Sequence, residues 1–149
     1  MRASIGSTAL AVSFVLLGNA QPDSTPVRLY CERGLLSVEK EWAEDSLIVT
    51  GTAEALTEIK GADGLLERTV YRFRVARAYR GSPTSTVDVY SDNDSGRFPM
   101  QRGESYLLFL SRWEDGYLHV DNCGNSRPLP HAADVIRRLR ALARPRSES

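Results

Sequence analysis

The sequence predicts a mainly β fold: a small antiparallel barrel of five strands, preceded by a short helix and closed by a C-terminal one. Three observations carry that expectation. Arg68–Tyr79 alternates apolar with charged side chains, Tyr106–Leu110 is an unbroken apolar run, and Ala132, Val135, Ile136, Leu139 and Leu142 recur at helical spacing. Period two marks a half-buried strand, and a short continuous run marks a strand covered on both faces. The helical period marks an amphipathic helix packed on one side.

The elements follow in order. Met1-Arg2, the apolar stretch Ala9–Leu17 and the small exit Gly18-Asn19-Ala20 describe a secretory signal peptide cut after Ala20. The stretch is shorter than the roughly 20 apolar residues a bilayer span needs; the alternative is a buried N-terminal helix. Residues 21–28, polar at first with Pro22 and Pro26, form a flexible leader. Leu35, Leu36, Glu39 and Trp42 suit a short helix over Leu35–Ala43. Ser46–Leu56, opening with Leu47-Ile48-Val49, reads as a strand broken or bulged at Gly51. Gly61-Ala62-Asp63-Gly64 turns the chain into Arg68–Tyr79, where Tyr71, Phe73 and Val75 share one face and Arg72 and Arg74 the other.

After a turn at Gly81–Ser85, Val87 and Val89 alternate with Asp88 in a third strand, and Ser91–Gly96 is a polar loop. Tyr106–Leu110 is the fourth strand, Trp113-Glu114-Asp115-Gly116 a hairpin turn, and Tyr117–Val120 the fifth strand, delivering the chain to Cys123. Pro130 opens the final helix, and residues 145–149 are a polar tail. Residues 29–144 thus form one domain, enough for a modest core.

With Arg2 removed from 19 basic and 19 acidic side chains, the mature chain has a net charge near −1. That balance argues against a nucleic-acid binder, and no second hydrophobic stretch suggests a membrane span. Export places the two cysteines, Cys31 and Cys123, where thiols oxidise, so they read as one disulfide. Closing so long a loop contributes on the order of 4–5 kcal/mol in the chain-entropy treatment.

Laid out this way, the chain resembles the oligonucleotide/oligosaccharide-binding (OB) fold domain of tissue inhibitors of metalloproteinases and their bacterial relatives, the netrin-like domains. The likeness runs from about Cys31 to Leu142. Its strongest piece is Phe98 with Gly103-Glu104-Ser105-Tyr106-Leu107-Leu108-Phe109, followed by Tyr117-Leu118 and Asn122-Cys123. Ala43–Gly51 is similar to the family's first strand, and Val70–Gly81, ending in Tyr79-Arg80-Gly81, to its second. The resemblance implies a five-stranded Greek-key OB-fold barrel.

Two departures bear on function. Family members begin with a Cys-x-Cys pair where this chain has Leu29-Tyr30-Cys31, and carry a further cysteine where it has Ser95-Gly96. In the family those two missing cysteines bond to each other, and the retained pair bonds as Cys31–Cys123 would. Inhibitors of the family use an N-terminal cysteine to reach a catalytic zinc; here the expected N-terminus, Gln21, lies well upstream. Inheritance of a fold does not carry its function. The resemblance therefore implies a secreted or periplasmic protein-interaction module, with a direct metalloprotease inhibitor as the alternative and a metal-dependent enzyme as a remote one. The interaction edge would be Leu29, Tyr30, Cys31, Glu32 and Arg33.

His119, beside Asp121, reads as a surface cross-strand residue rather than a general base. His131 opens the last helix. Cys31, Cys123, His119 and His131 lack a usual zinc-ligand spacing. Asp92-Asn93-Asp94-Ser95-Gly96 hints at a calcium loop, but its glycine falls early and Gly103 stands where a glutamate is needed. Asn93-Asp94-Ser95 is a formal glycosylation sequon. Arg137, Arg138, Arg140, Arg144 and Arg146 make a basic end, read as a solvated helix face. The expectation is no catalytic set, no metal, no cofactor, no nucleic acid, and a monomer with an unknown protein partner.

Overall fold

The computed structural model describes residues 36–144. The expected signal peptide 1–20, the leader 21–28, the edge Leu29–Arg33 with Cys31, and the tail 145–149 lie outside the described residues. In order the chain forms α1 (Val38–Glu44), β1 (Leu47–Lys60), β2 (Leu66–Arg80), β3 (Thr86–Asp92), β4 (Ser105–Arg112), β5 (Leu118–His119), β6 (Arg127–Pro128), a 3-10 turn (Leu129–His131) and α2 (Ala133–Leu142). Among the described residues no helix is long and apolar enough to cross a membrane.

Strand pairing closes on itself. β1 pairs antiparallel with β2 and β2 with β3. β5 returns parallel to β3, through Val89↔Leu118 and Tyr90↔His119, and antiparallel to the end of β4. β4 then lies antiparallel to β1, from Leu47↔Leu110 to Thr52↔Ser105. Five strands therefore form a ring in the order β1-β2-β3-β5-β4-β1, and β6 adds to β4 at Tyr106↔Pro128 and Leu107↔Arg127.

The apolar run in β4 divides two cores. Tyr106, Leu108 and Leu110 join Phe73, Val89 and Leu118 in a cluster drawn from all five strands of the ring. Leu107 and Phe109 point the other way, onto Val38 of α1 and Val135 and Leu139 of α2. Ile48 of β1 belongs to this second cluster, whereas Leu47 and Val49 belong to the first. In β2, Tyr71 and Phe73 are buried while Arg72 and Arg74 are exposed, as the alternation requires. The segment between β3 and β4 carries Phe98 and Met100 into the ring core. Its buried backbone N–H groups are satisfied by side chains: Phe98 donates to Ser91 Oγ at 2.8 Å and Met100 to the Tyr71 hydroxyl at 3.2 Å.

Several boundaries differ from the sequence expectation. α1 starts at Val38 because the Ser37 side chain caps it, accepting from Lys40 N–H at 3.2 Å. The first strand does not end at Leu56 but runs to Lys60, paired with β2 throughout. The irregularity expected at Gly51 is present as a register shift between Thr50 and Gly51. A Cβ there would meet the Arg74 carbonyl oxygen and lie 2.7 Å from Phe73 Cε1, so only glycine lets β1 and β2 approach. β5 shrinks to Leu118–His119, and β6 was not foreseen because it contains Pro128 and has no alternation. The last helix opens at Ala133 rather than Pro130. Pro130 sits in the 3-10 turn, closed by Ala132 N–H donating to Leu129 O at 3.1 Å.

Candidate functional site

The densest polar arrangement lies where β5 meets β3. His119 is only 3% exposed. Its Nδ1 is 3.2 Å from Asp92 Oδ2 and its Nε2 is 3.0 Å from Asp115 Oδ2. Carboxylates only accept, so with a proton on each ring nitrogen both contacts are hydrogen bonds. Arg68 joins from β2, with Nε 3.2 Å from Asp92 Oδ1 and an NH1 contact of 3.8 Å to Asp115. The imidazole is covered by Trp113, with Tyr90 tilted beside it at 5.7 Å. Tyr90 in turn stacks on Tyr117, centroids 4.3 Å apart and planes 19° from parallel.

Local sequence builds this arrangement. The Trp113–Gly116 turn closes through Gly116 N–H to Trp113 O at 2.9 Å, with Gly116 at φ 82°. Asp115 Oδ1 accepts from Tyr117 N–H at 2.9 Å, which leaves its other oxygen toward the histidine. The Asp115 carboxyl is held below its usual range, chiefly by the Tyr117 N–H, with His119 and Arg68 adding to it against some desolvation. The sequence expectation of a surface cross-strand His119 beside Asp121 does not hold. The ring is buried, and the carboxylates that hold it are Asp92 and Asp115. Asp121 instead accepts from Cys123 N–H at 2.8 Å.

Elsewhere a buried carboxylate ties α1 to the segment after Cys123. Glu41, 4% exposed, accepts from the Asn125 backbone N–H at 3.0 Å and from Asn125 Nδ2 at 2.5 Å. Burial pushes its carboxyl up to about 7, with Asn125 opposing the rise and Asp45 and Asp121 adding to it. Asp45 is raised by burial too, although Ser111 Oγ donates to its Oδ1 at 2.6 Å. Its Oδ2 is buried with no hydrogen-bond partner among the described residues.

The remaining candidates fall in separate places. His131 is exposed and borders a cleft of about 660 Å³ with Glu104, Ser105 and Pro128 to Pro130. In the Asp92–Gly96 loop, Asp92 is spent on Arg68 and His119, and Asp94 Oδ1 accepts from Gly96 N–H at 2.7 Å, the geometry of a polar turn. Among the described residues no group of three or more His, Cys, Asp or Glu side chains is placed to hold a metal ion. Arg138 on α2 pairs with Glu39 of α1 at 2.7 Å, while Arg137 and Arg140 are exposed. Cys123 is half-buried at the rim of a cleft lined also by Asp92, Asp94, Trp113 and Asp121. Asp115 and Glu41 were missed by sequence reasoning, which weighed Asp92 only for a calcium loop; the four-residue spacing from Asp115 to His119 across an Asp-Gly turn was the one available signal.

The chain matches no protein-family model, and no curated protein matches it in sequence.

Proposed function

We propose that the chain is an exported, non-enzymatic protein-interaction module of the metalloproteinase-inhibitor type, built on an OB-fold barrel. The observation that carries this reading is the strand circuit β1-β2-β3-β5-β4-β1 with its parallel β3–β5 closure. An OB-fold is a five-stranded Greek-key barrel, and this circuit is compatible with it. We infer a Cys31–Cys123 disulfide that fastens the edge Leu29–Arg33 beside Cys123; no cysteine is free among the described residues. The state of His119 also supports a binding role over catalysis. Both ring nitrogens face carboxylates and one ring face is stacked, so the group has no open nitrogen to offer a substrate.

The test is chemical cross-linking of the mature protein in its native envelope, with its N-terminus fixed by mass spectrometry, alongside inhibition of a panel of zinc metalloproteases. A stoichiometric protein complex that is lost when Leu29, Tyr30, Glu32 and Arg33 are replaced by glycine and serine, with Cys31 kept, is the expected result. Stoichiometric inhibition of a panel member would assign the direct-inhibitor role. A chain that forms no protein complex, or that turns over a substrate, overturns the reading.

A further inference from the structure

Among the described residues, Trp113 and Tyr117 are large apolar side chains about half exposed, 48% and 47%, yet each is covered on one ring face. The cover is a ring stack, Trp113 on His119 and Tyr117 on Tyr90. Rigid aromatic surface costs little entropy to present, which is why such residues anchor interfaces.

Trp113 also forms a wall of the cleft beside Cys123, a cavity of about 340 Å³. Asp94 and Asp121 also line it, and none of the described residues lining the cleft is basic. Asp94 and Asp121 each use one oxygen on a backbone N–H, of Gly96 and Cys123 respectively, and both residues are exposed. Asp92, the third carboxylate, is already engaged by Arg68 and His119. An indole surface and two carboxylates with acceptor capacity therefore converge on one concave space. A flat cation with a fork of N–H donors satisfies both at once, since guanidinium stacks on aromatic faces and bonds carboxylates in its plane. A compact ammonium meets only the charge.

We propose that this cleft receives an arginine side chain of a partner protein, its guanidinium stacked on Trp113 and hydrogen-bonded to Asp94 and Asp121. Tyr117, on the far side of the turn, supplies apolar contact to the residues flanking that arginine. The proposal rests on the reading of the chain as an interaction module and names the chemistry of its partner.

The experiment uses the full mature chain with its cysteines oxidised. A capped glycine-arginine-glycine peptide is titrated against its lysine and citrulline counterparts, the last being neutral and nearly isosteric with arginine. The two indole N–H resonances report the outcome. Trp42 lies against Arg80, 5.9 Å from ring to guanidinium, and serves as the internal control. The expected result is a saturable shift of Trp113 alone, with the citrulline peptide weaker by at least about tenfold. The double variant Asp94→Asn/Asp121→Asn keeps both side-chain acceptors for the backbone and so stays folded. It should weaken the arginine peptide by a similar factor.

Equal response to the citrulline peptide, or undiminished binding by the double variant, overturns the proposal. So does an Arg28→Ala/Arg33→Ala variant that binds the peptide more than tenfold tighter, because the chain's own leader would then be the occupant. A native partner complex that survives Asp94→Asn/Asp121→Asn removes this site while leaving the interaction-module reading standing. Arginine binding without any native partner complex does the reverse.

Discussion

The imidazole of His119 and the indole of Trp113 lie face to face, ring centroids 3.8 Å apart and planes 4° from parallel. This stack keeps water from a ring whose two nitrogens face Asp92 and Asp115. His119→Ala removes the ring between those carboxylates and opens a void under the indole. The expected loss is about 2–4 kcal/mol of stability, read by denaturant unfolding. Near-ultraviolet dichroism from Trp113 should fall with it. Unchanged stability would show that the buried histidine contributes no net energy.

Glu41 gives the chain an unusual acid–base profile. Its carboxyl is raised from 4.5 to about 7 in the folded state, so the folded chain holds that proton more tightly than the unfolded one. The contribution is full below pH 4.5 and is lost as pH rises to about 7. Asp45, also raised, acts in the same direction. Asp115, lowered from 3.8, acts oppositely: its stabilisation is present above that value and lost as pH falls through its lower folded one. Glu41→Gln should flatten the decline between pH 4.5 and 7, a change on the order of 3 kcal/mol. Thermal unfolding across that range checks it, and a slope the same as that of the parent chain would refute it.

Gly51 sits where β1 bends against β2 with no room for a side chain. Gly51→Ala should cost about 1–3 kcal/mol by overpacking Phe73 and the Arg74 backbone. Gly64, at φ 80° with nothing within reach of a Cβ, provides the contrast. There alanine meets only backbone strain, and the loss should be smaller. Chemical denaturation of the two variants side by side decides the matter.

Leu107 and Leu108 are neighbours that serve different cores. Each truncation to alanine should cost about 2–5 kcal/mol. Leu107→Ala should speed amide exchange first in α1 and α2, whereas Leu108→Ala should loosen the ring strands. Identical exchange patterns would mean the two cores unfold as one unit.

Cys31→Ser tests the inferred disulfide. Under non-reducing conditions the parent chain should show no free thiol, and the variant should unfold at lower temperature, by up to about 4–5 kcal/mol in the chain-entropy treatment. Two reactive thiols in the parent would remove the bond.

What the sequence made legible was whatever a local pattern encodes. Tyr71 and Phe73 against Arg72 and Arg74, the two-faced run Tyr106–Leu110, the Trp113–Gly116 turn and the buried stripe of α2 all follow from spacing alone. His119 was misread because Leu118-His119-Val120 looks like alternation with a polar residue facing out. All three are buried, since the hairpin folds Trp113 over the second face and the parallel pairing brings Asp92 alongside. Glu41 drew no expectation from the sequence for the same kind of reason. The segment that buries it, around Asn125, lies 84 positions away in sequence. Contacts made by chain return, unlike those made by period, leave no trace in a short window.

The ring is fastened unevenly, and that has a mechanical consequence. β1 and β2 are zipped along nearly their whole length, whereas β3 and β5 meet at Val89↔Leu118 and Tyr90↔His119 alone. Such a closure behaves like a cuff: β4 and β5 also meet at two pairs only but are joined by a tight turn, so breathing of the ring should begin at the β3–β5 seam. Side chains from both banks clasp that seam: Asp92 and Tyr90 from one, His119, Asp115 and Tyr117 from the other. A ligand bridging Asp94 and Trp113 would span the same seam, so occupancy would be felt as a slower opening of the whole cuff.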